Sequence, residues 1–97
     1  MDRLDAMQLY VTVVDAHSFA RAAEVLGQPR STVSRVVKEL EAWLGAQLLQ
    51  RTTRKLSVTA EGRRYYEECK RLLAEMAAME ASFPGRSAQP AGRFKVA

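Results

Sequence analysis

The residues best suited to bind a charged ligand are concentrated in one short stretch, positions 30 to 38. The stretch mixes long cations with short hydroxyl side chains, and no acid occurs before Glu39. Its polar residues are Arg30, Ser31, Thr32, Ser34, Arg35 and Lys38. Cations pair with phosphates and with the acceptor edges of bases, and hydroxyls donate at shorter range. The stretch therefore predicts a polyanion-binding surface, because an ordinary solvated helix face would carry both signs of charge.

Catalytic and metal-binding chemistry is not indicated by the sequence. His17 is the single histidine and Cys69 the single cysteine, so neither has a second residue of its kind as a partner. We find no paired carboxylates near a base, no metal-ligand cluster and no glycine-rich phosphate loop. We therefore expect no enzyme activity, no catalytic residue, no metal site and no cofactor in this chain.

Two short helices are expected to position the polar stretch. Apolar residues recur at helical spacing in both, at Phe19, Ala22, Ala23 and Leu26 and then at Val33, Val36, Val37, Leu40, Trp43 and Leu44. Gly27 and Pro29 interrupt this pattern, and Gly45 ends the second helix. Two amphipathic helices joined by a tight turn predict a helix-turn-helix, with Trp43 in the core and the polar residues on the exposed face of the second helix.

The helix starts offer further polar groups. Ser18 is a good N-cap for the first helix, and a phosphate could bind the same free N–H groups; both readings are compatible. Pro29 suits the entry to the second helix, where Ser31 or Thr32 could act as the cap. Arg35 and Glu39 lie four apart and are expected to pair on the surface.

Residues 1–16 are predicted to form a preceding helix. Leu4, Met7, Val11 and Val14 share one face, with Tyr10 beside them, and we expect this face to be core. The β-branched residues in 11–14 could instead indicate a strand, but the spacing of three and four favours a helix.

A small β-hairpin is predicted directly after the helix-turn-helix. Residues 47–51 and 55–58 show some alternation, and three cations lie at or near the turn: Arg51, Arg54 and Lys55. In this position a hairpin is the wing of a winged helix. We expect these three cations, together with Thr52, to reach a minor groove or flanking phosphates. The alternative is a solvated turn without a partner.

A long helix is predicted from Thr59 to about Ser82. Its apolar residues are spaced alternately by four and three, at Tyr65, Cys69, Leu72, Met76, Met79 and Phe83. This heptad seam predicts a homodimer through the helix, while Tyr66, Leu73 and Ala77 could cover the domain core. The alternative is a helix packed only within its own domain. Residues 85–92 read as a linker, and 93–97 alternate like the first strand of a further domain.

Composition places limits on the class of protein. Ninety-seven residues with 47% apolar content suit one small globular domain. The net charge of +4 is concentrated in two basic islands, around residues 28–38 and 50–64, within a neutral to acidic frame. The apolar runs are too short to cross a membrane, and the single cysteine cannot form an internal disulfide. We expect a cytoplasmic protein.

Taken together, these motifs resemble the N-terminal DNA-binding domain of LysR-type transcriptional regulators over about residues 2–83. The matching segments are MQLYVTVVDAHSF (7–19), AAEVLG (22–27), STVSR (31–35), LE (40–41), LG (44–45), LLQRTTRKL (48–56) and TAEG (59–62). One departure is Arg30-Ser31, where many relatives carry a Gln-Pro pair. That departure leaves the base preference open.

The resemblance implies a mainly α fold, a winged helix-turn-helix in 1–58, followed by a dimerisation helix in 59–83. Residues 84–97 would be a hinge and the start of a missing effector-binding domain that holds a small-molecule co-inducer. A bacterial-type regulator of this kind binds double-stranded DNA at pseudo-palindromic promoter sites as a homodimer, or as a tetramer at full length. The rival interpretation is a winged helix used for protein contact, which would bind with little salt dependence.

Overall fold

The computed structural model describes residues 2–52 and 55–87, and within these ranges the chain is mainly helical with one two-stranded hairpin. The elements in chain order are α1 (Arg3–Ala16), α2 (Phe19–Leu26), α3 (Arg30–Leu44), β1 (Leu49–Arg51), β2 (Leu56–Val58), α4 (Ala60–Ala81) and α5 (Pro84–Ser87). This arrangement confirms the predicted winged helix-turn-helix followed by a long helix. The predictions for Arg54 and for a strand at 93–97 lie outside the described residues.

The ends of the helix-turn-helix are set by local backbone chemistry. Ser18 caps α2 through its hydroxyl, which accepts from the Arg21 N–H at 3.1 Å. Gly27 closes α2 with a left-handed φ of 66°, a conformation that glycine adopts without the steric penalty of a Cβ. Pro29 is the N-cap of α3 and gives no side-chain cap. Capping by Ser31 or Thr32 is therefore wrong, because both already lie inside the helix.

The core forms where α1, α2, α3 and the start of the hairpin meet. Its buried members are Ala6, Leu9, Tyr10, Val13, Val14, Ala22, Ala23, Val33, Val36, Val37, Leu40, Leu48 and Leu49. The small side chains of Ala22 and Ala23 let α2 approach its neighbours closely. Because α1 is covered from more than one side, its buried face is wider than a single stripe. Leu4, expected in the core, is 41% exposed.

Trp43 is not a core residue. Its side chain is 61% exposed, and the Arg3 guanidinium carbon lies 3.3 Å from the centroid of its ring. The buried stripe of α3 ends at Leu40, because Trp43 lies over the N-terminal end of α1 at the surface and Leu44 is 37% exposed. The indole is instead covered on one face by a cation, an arrangement that stabilises an exposed aromatic ring.

The hairpin is shorter than the sequence indicated. Only three residues of each strand pair, antiparallel, with Leu49 opposite Val58 and Arg51 opposite Leu56. At the turn, the Thr52 hydroxyl donates to the Lys55 carbonyl oxygen and accepts from the Lys55 N–H. The Thr52 backbone N–H also donates to the Lys55 carbonyl oxygen. Leu48 and Leu49 are buried, so the base of the hairpin is part of the core, while Thr52 and Lys55 at its other end are exposed.

The start of α4 is fastened to the core rather than separate from it. Thr59 caps the helix, and its hydroxyl also lies 2.6 Å from the Gln47 carbonyl oxygen. The Tyr10 hydroxyl donates to the Gly62 carbonyl oxygen at 2.9 Å. A Cβ on Gly62 would lie 2.0 Å from the Leu48 carbonyl oxygen, so only glycine permits this approach.

Cys69 also faces the core of its own chain. It is fully buried, and the neighbouring Tyr65 ring packs against Tyr10 with centroids 5.3 Å apart. Cys69, predicted as part of the dimer seam, therefore has no exposed surface in this chain with which to contact a second copy. Heptad spacing identifies an apolar face but does not say which neighbour covers it.

The C-terminal end of the described chain contains one further helical turn. Helix α5, Pro84–Ser87, includes the first three residues of the linker expected over 85–92, while residues 88–97 lie outside the described residues. No helix in 2–52 and 55–87 combines the length and apolar character needed to span a membrane.

Candidate nucleic-acid interface

The exposed face of α3 carries the polar residues singled out in the sequence. Arg30, Ser31, Arg35 and Lys38 are exposed, and Thr32 and Ser34 are half-buried. The opposite face of the same helix supplies Val33, Val36 and Val37 to the core. Burial of the valines thus holds the cations and hydroxyls outward along one side of the helix.

Arg35 forms the expected surface ion pair. Its Nη1 lies 2.9 Å from Glu39 Oε2, and both side chains are more than 60% exposed. Ion pairs at such exposure contribute little stability and are screened by salt. Arg35 can therefore exchange Glu39 for an anionic ligand at small cost.

A groove joins α3 to two other segments of the chain. It has a volume of about 440 Å³ and lies between the start of α2, the start of α3 and the hairpin. Its lining residues are His17, Ser18, Phe19, Arg30, Ser34, Arg51, Thr52, Lys55 and Leu56. Five residues predicted separately as site residues therefore line one concave surface: Ser18, Arg30, Ser34, Arg51 and Thr52.

Two features of this groove suit an anion. The N-terminus of α2 presents backbone N–H groups beside Ser18, and the hydroxyl of that serine is already used in capping. Arg30 and Lys55 are exposed cations at the edges of the groove. A phosphate placed here would meet positive charge from several directions.

Arg51 differs from the other cations because it is held in place. Its side chain is 29% exposed, its Nη1 lies 3.6 Å from Glu41 Oε1, and its guanidinium carbon lies 5.2 Å from the centroid of Phe19. Sequence reasoning identified Arg51 but missed both partners. Glu41 had no signal of its own, since one acid on a helix resembles any solvated acid.

The remaining predicted site, the seam of α4, divides into two parts. Tyr65 and Cys69 pack toward the core, whereas Leu72, Met79 and Phe83 are 45%, 53% and 59% exposed. Met76 is half-buried. The four residues Leu72, Met76, Met79 and Phe83 together form the α4 stripe. In the described ranges, no group of three or more His, Cys, Asp or Glu could hold a metal ion.

Comparison with known proteins places this geometry in a family. Residues 4–63 match the model of the bacterial regulatory helix-turn-helix proteins of the LysR family. The chain is 49% identical over 96 residues to an HTH-type transcriptional repressor of Pseudomonas aeruginosa, covering 99% of this chain and 30% of that protein. It is 46% identical over 92 residues to the regulator CrgA of Neisseria meningitidis, covering 95% of this chain and 31% of CrgA.

Solved structures give the same assignment. The DNA-binding domain of BenM, in complex with catB site 1 DNA, has a TM-score of 0.80 at 34% identity. The match covers 92% of this chain and 99% of that one. The chain spans about a third of the length of the curated relatives it matches. The family model covers more than half of the sequence, and this chain belongs to the LysR family of bacterial helix-turn-helix regulators.

Proposed function

We propose that the chain is the DNA-binding part of a transcription regulator and that it binds double-stranded DNA through α3 and the hairpin. One observation carries this proposal: the groove unites cations and hydroxyls from α2, α3 and the wing on one surface. The DNA-binding domain of the solved relative BenM has the same fold and was crystallised in complex with DNA, which supports DNA as the ligand.

In the proposed complex, α3 enters the major groove. Arg30, Arg35 and Lys38 would reach guanine acceptors or phosphates, and Ser31, Thr32 and Ser34 would bond at shorter range. Each good bidentate contact to a base contributes roughly 1–3 kcal/mol of discrimination. Because Arg30-Ser31 replaces the common Gln-Pro pair, the preferred base sequence is expected to differ from that of many relatives.

The wing and the start of α2 would contact the backbone of the DNA. Ser18 lies at a helix N-terminus, where backbone N–H groups bind phosphate. Arg51, Thr52 and, outside the described residues, Arg54 would reach the phosphates or minor groove beside the α3 site. These contacts position the protein and carry little sequence information.

Assembly is part of the same proposal. The α4 stripe would pair with a second copy, so that two α3 helices read two halves of a pseudo-palindromic promoter site. Within this division, residues 1–58 bind DNA, 59–83 dimerise and 84–97 lead toward an effector-binding domain. In a longer protein of the cytoplasm, that domain would bind a small co-inducer and could support a tetramer.

Binding to labelled duplexes across a salt series tests the proposal. We expect a duplex enriched from a random-sequence pool to bind more tightly than random DNA, and the affinity for both to fall steeply as salt rises, because bound phosphates release counterions. Arg35→Ala should weaken binding to the enriched duplex by roughly tenfold or more. Lys70→Ala removes the same charge from the exposed surface of α4 and serves as the control.

Two results would count against the proposal. Absence of binding even at low salt would exclude a DNA ligand and favour the protein-contact interpretation. Equal losses in Arg35→Ala and Lys70→Ala would mean that net charge, rather than the α3 surface, determines the affinity.

A further inference from the structure

Glu41 connects α3 to the wing, because its carboxylate contacts three groups of the hairpin segment. It lies near the C-terminal end of α3, and its side chain is 14% exposed. Its Oε2 accepts from the Leu48 N–H at 2.9 Å and from the Leu49 N–H at 3.1 Å. Its Oε1 lies 3.6 Å from Arg51 Nη1. One carboxylate therefore contacts the first residues of the hairpin and the end of its first strand.

The two amides contacted by Glu41 belong to buried residues. Leu48 and Leu49 are 1% and 0% exposed, so their N–H groups cannot turn to bulk water. A buried donor without an acceptor is costly, and a carboxylate is the stronger kind of acceptor. The position of Glu41 therefore fixes the distance between α3 and the base of the wing.

The pair with Arg51 extends this control into the groove. The Arg51 guanidinium is placed between Glu41 and the Phe19 ring of α2, on the surface that also carries Ser18 and Arg30. A partly buried pair of this kind has a more restricted geometry than an exposed ion pair such as Arg35–Glu39. The two contacts therefore favour a placement of the Arg51 guanidinium on the groove surface.

We propose that Glu41 is a positioning residue for DNA binding: through the Leu48 and Leu49 amides and through Arg51 it sets the wing relative to α3. It does not touch the DNA itself. The inference rests on the proposed contact between the wing and DNA. With this role, the acidic Glu41 increases the affinity for a polyanion, whereas charge repulsion alone would decrease it.

The direction in which Glu41→Gln changes the affinity for DNA therefore tests the positioning role. Replacing an acid by its amide near DNA normally raises affinity, because a repulsive charge is removed. We expect Glu41→Gln to lower affinity for the enriched duplex by about tenfold, the coupling typical of residues that share one hydrogen-bond network. Glu24→Gln, on the exposed side of α2, makes the same change in net charge and should leave affinity unchanged or slightly higher.

Two further variants separate positioning from charge and from folding. Glu41→Asp keeps the charge but shortens the reach, and we expect it to weaken binding too, which covers the case in which Glu41→Gln does not fold. Urea unfolding of every variant establishes that the chain is folded at the temperature of the binding measurement. In combination with Arg51→Gln, Glu41→Gln should cause a smaller loss than it does alone.

Footprinting of the bound DNA reports on the contacts of α3 and of the wing separately. A variant that only lowered the stability of the fold would not weaken one set of contacts and keep the other. For the wild-type chain we expect guanine N7 protection under α3 and hydroxyl-radical protection beside the wing. Glu41→Gln should weaken the second while keeping the first. If the wild type lacks wing protection, the proposed wing contact fails. If it has that protection and Glu41→Gln and Glu41→Asp retain both it and full affinity, the positioning role alone is overturned.

Discussion

Gly62 is the residue whose identity is most tightly fixed by its surroundings. An added Cβ would meet the Leu48 carbonyl oxygen at 2.0 Å and the Tyr10 hydroxyl at 2.8 Å. The first of these atoms is backbone and cannot rotate away, so α4 would have to move off the core. In doing so it would weaken the Tyr10 bond to the Gly62 carbonyl oxygen.

We therefore expect Gly62→Ala to lower the free energy of unfolding by about 3 kcal/mol, at the upper end of overpacking effects. Urea unfolding followed by circular dichroism measures this. Gly85→Ala is the matched control, because a Cβ at Gly85 meets nothing within 4 Å, and it should be close to neutral. Equal stability of the two variants would show that α4 is not held by this contact.

The structural role of a residue could be predicted from the sequence where it depends on nearby positions of the chain. Ser18 as a cap, Gly27 as the end of a helix and the Arg35–Glu39 pair each depend on neighbours within four positions, and all three are confirmed. Trp43 and Glu41 depend on distant segments instead. The partner of Trp43 is Arg3, forty positions away, and no pattern around either residue indicates the contact.

The helices α1 to α4 and a short hairpin were predicted correctly because their boundaries are marked by cap and turn residues, whereas α5 lies in a segment expected to be linker. The boundaries of α3 and of α4 differ from expectation by at most a residue or two. The surface that each element presents was less predictable. On α4, heptad spacing identified one seam, but Tyr65 and Cys69 at its N-terminal end cover the core of the chain. Only tertiary packing separates those positions from the α4 stripe.

The α4 stripe yields a prediction about assembly. Met79→Glu would place a carboxylate on the apolar surface that we propose pairs with a second copy, and burying an unpaired charge is strongly unfavourable. We expect the dissociation constant of the dimer to rise by at least about tenfold, measured by sedimentation equilibrium. Ala74→Glu adds the same charge at another exposed position of α4, outside the stripe. A loss of dimer in Ala74→Glu alone, with Met79→Glu unaffected, would place the interface elsewhere on the helix.

Across the whole molecule, the attachment of α4 to the core depends on phenols that must stay neutral. Burial and the neighbouring Cys69 raise the pKa of Tyr65 to about 12, and burial raises the pKa of Tyr10 further still. In the unfolded chain both phenols have an ordinary pKa of about 10. Above that pH the unfolded state therefore binds fewer protons than the folded state, and stability must fall as pH rises.

We expect the free energy of unfolding to begin falling at about pH 8.5, where the Cys69 thiol ionises in the unfolded chain, because burial raises the pKa of that thiol in the folded chain. The fall should continue from about pH 10 through pH 12, with a limiting slope of about 1.4 kcal/mol per pH unit from Tyr10 alone. Urea unfolding at a series of alkaline pH values, followed by circular dichroism, measures the slope. Tyr10→Phe should be less stable at neutral pH by about 1 kcal/mol, since it loses the bond to Gly62, yet its stability should fall less steeply above pH 10. Parallel slopes in the two proteins would mean that ionisation of Tyr10 does not release α4, and that the alkaline limit of the fold lies with Tyr65 or Cys69.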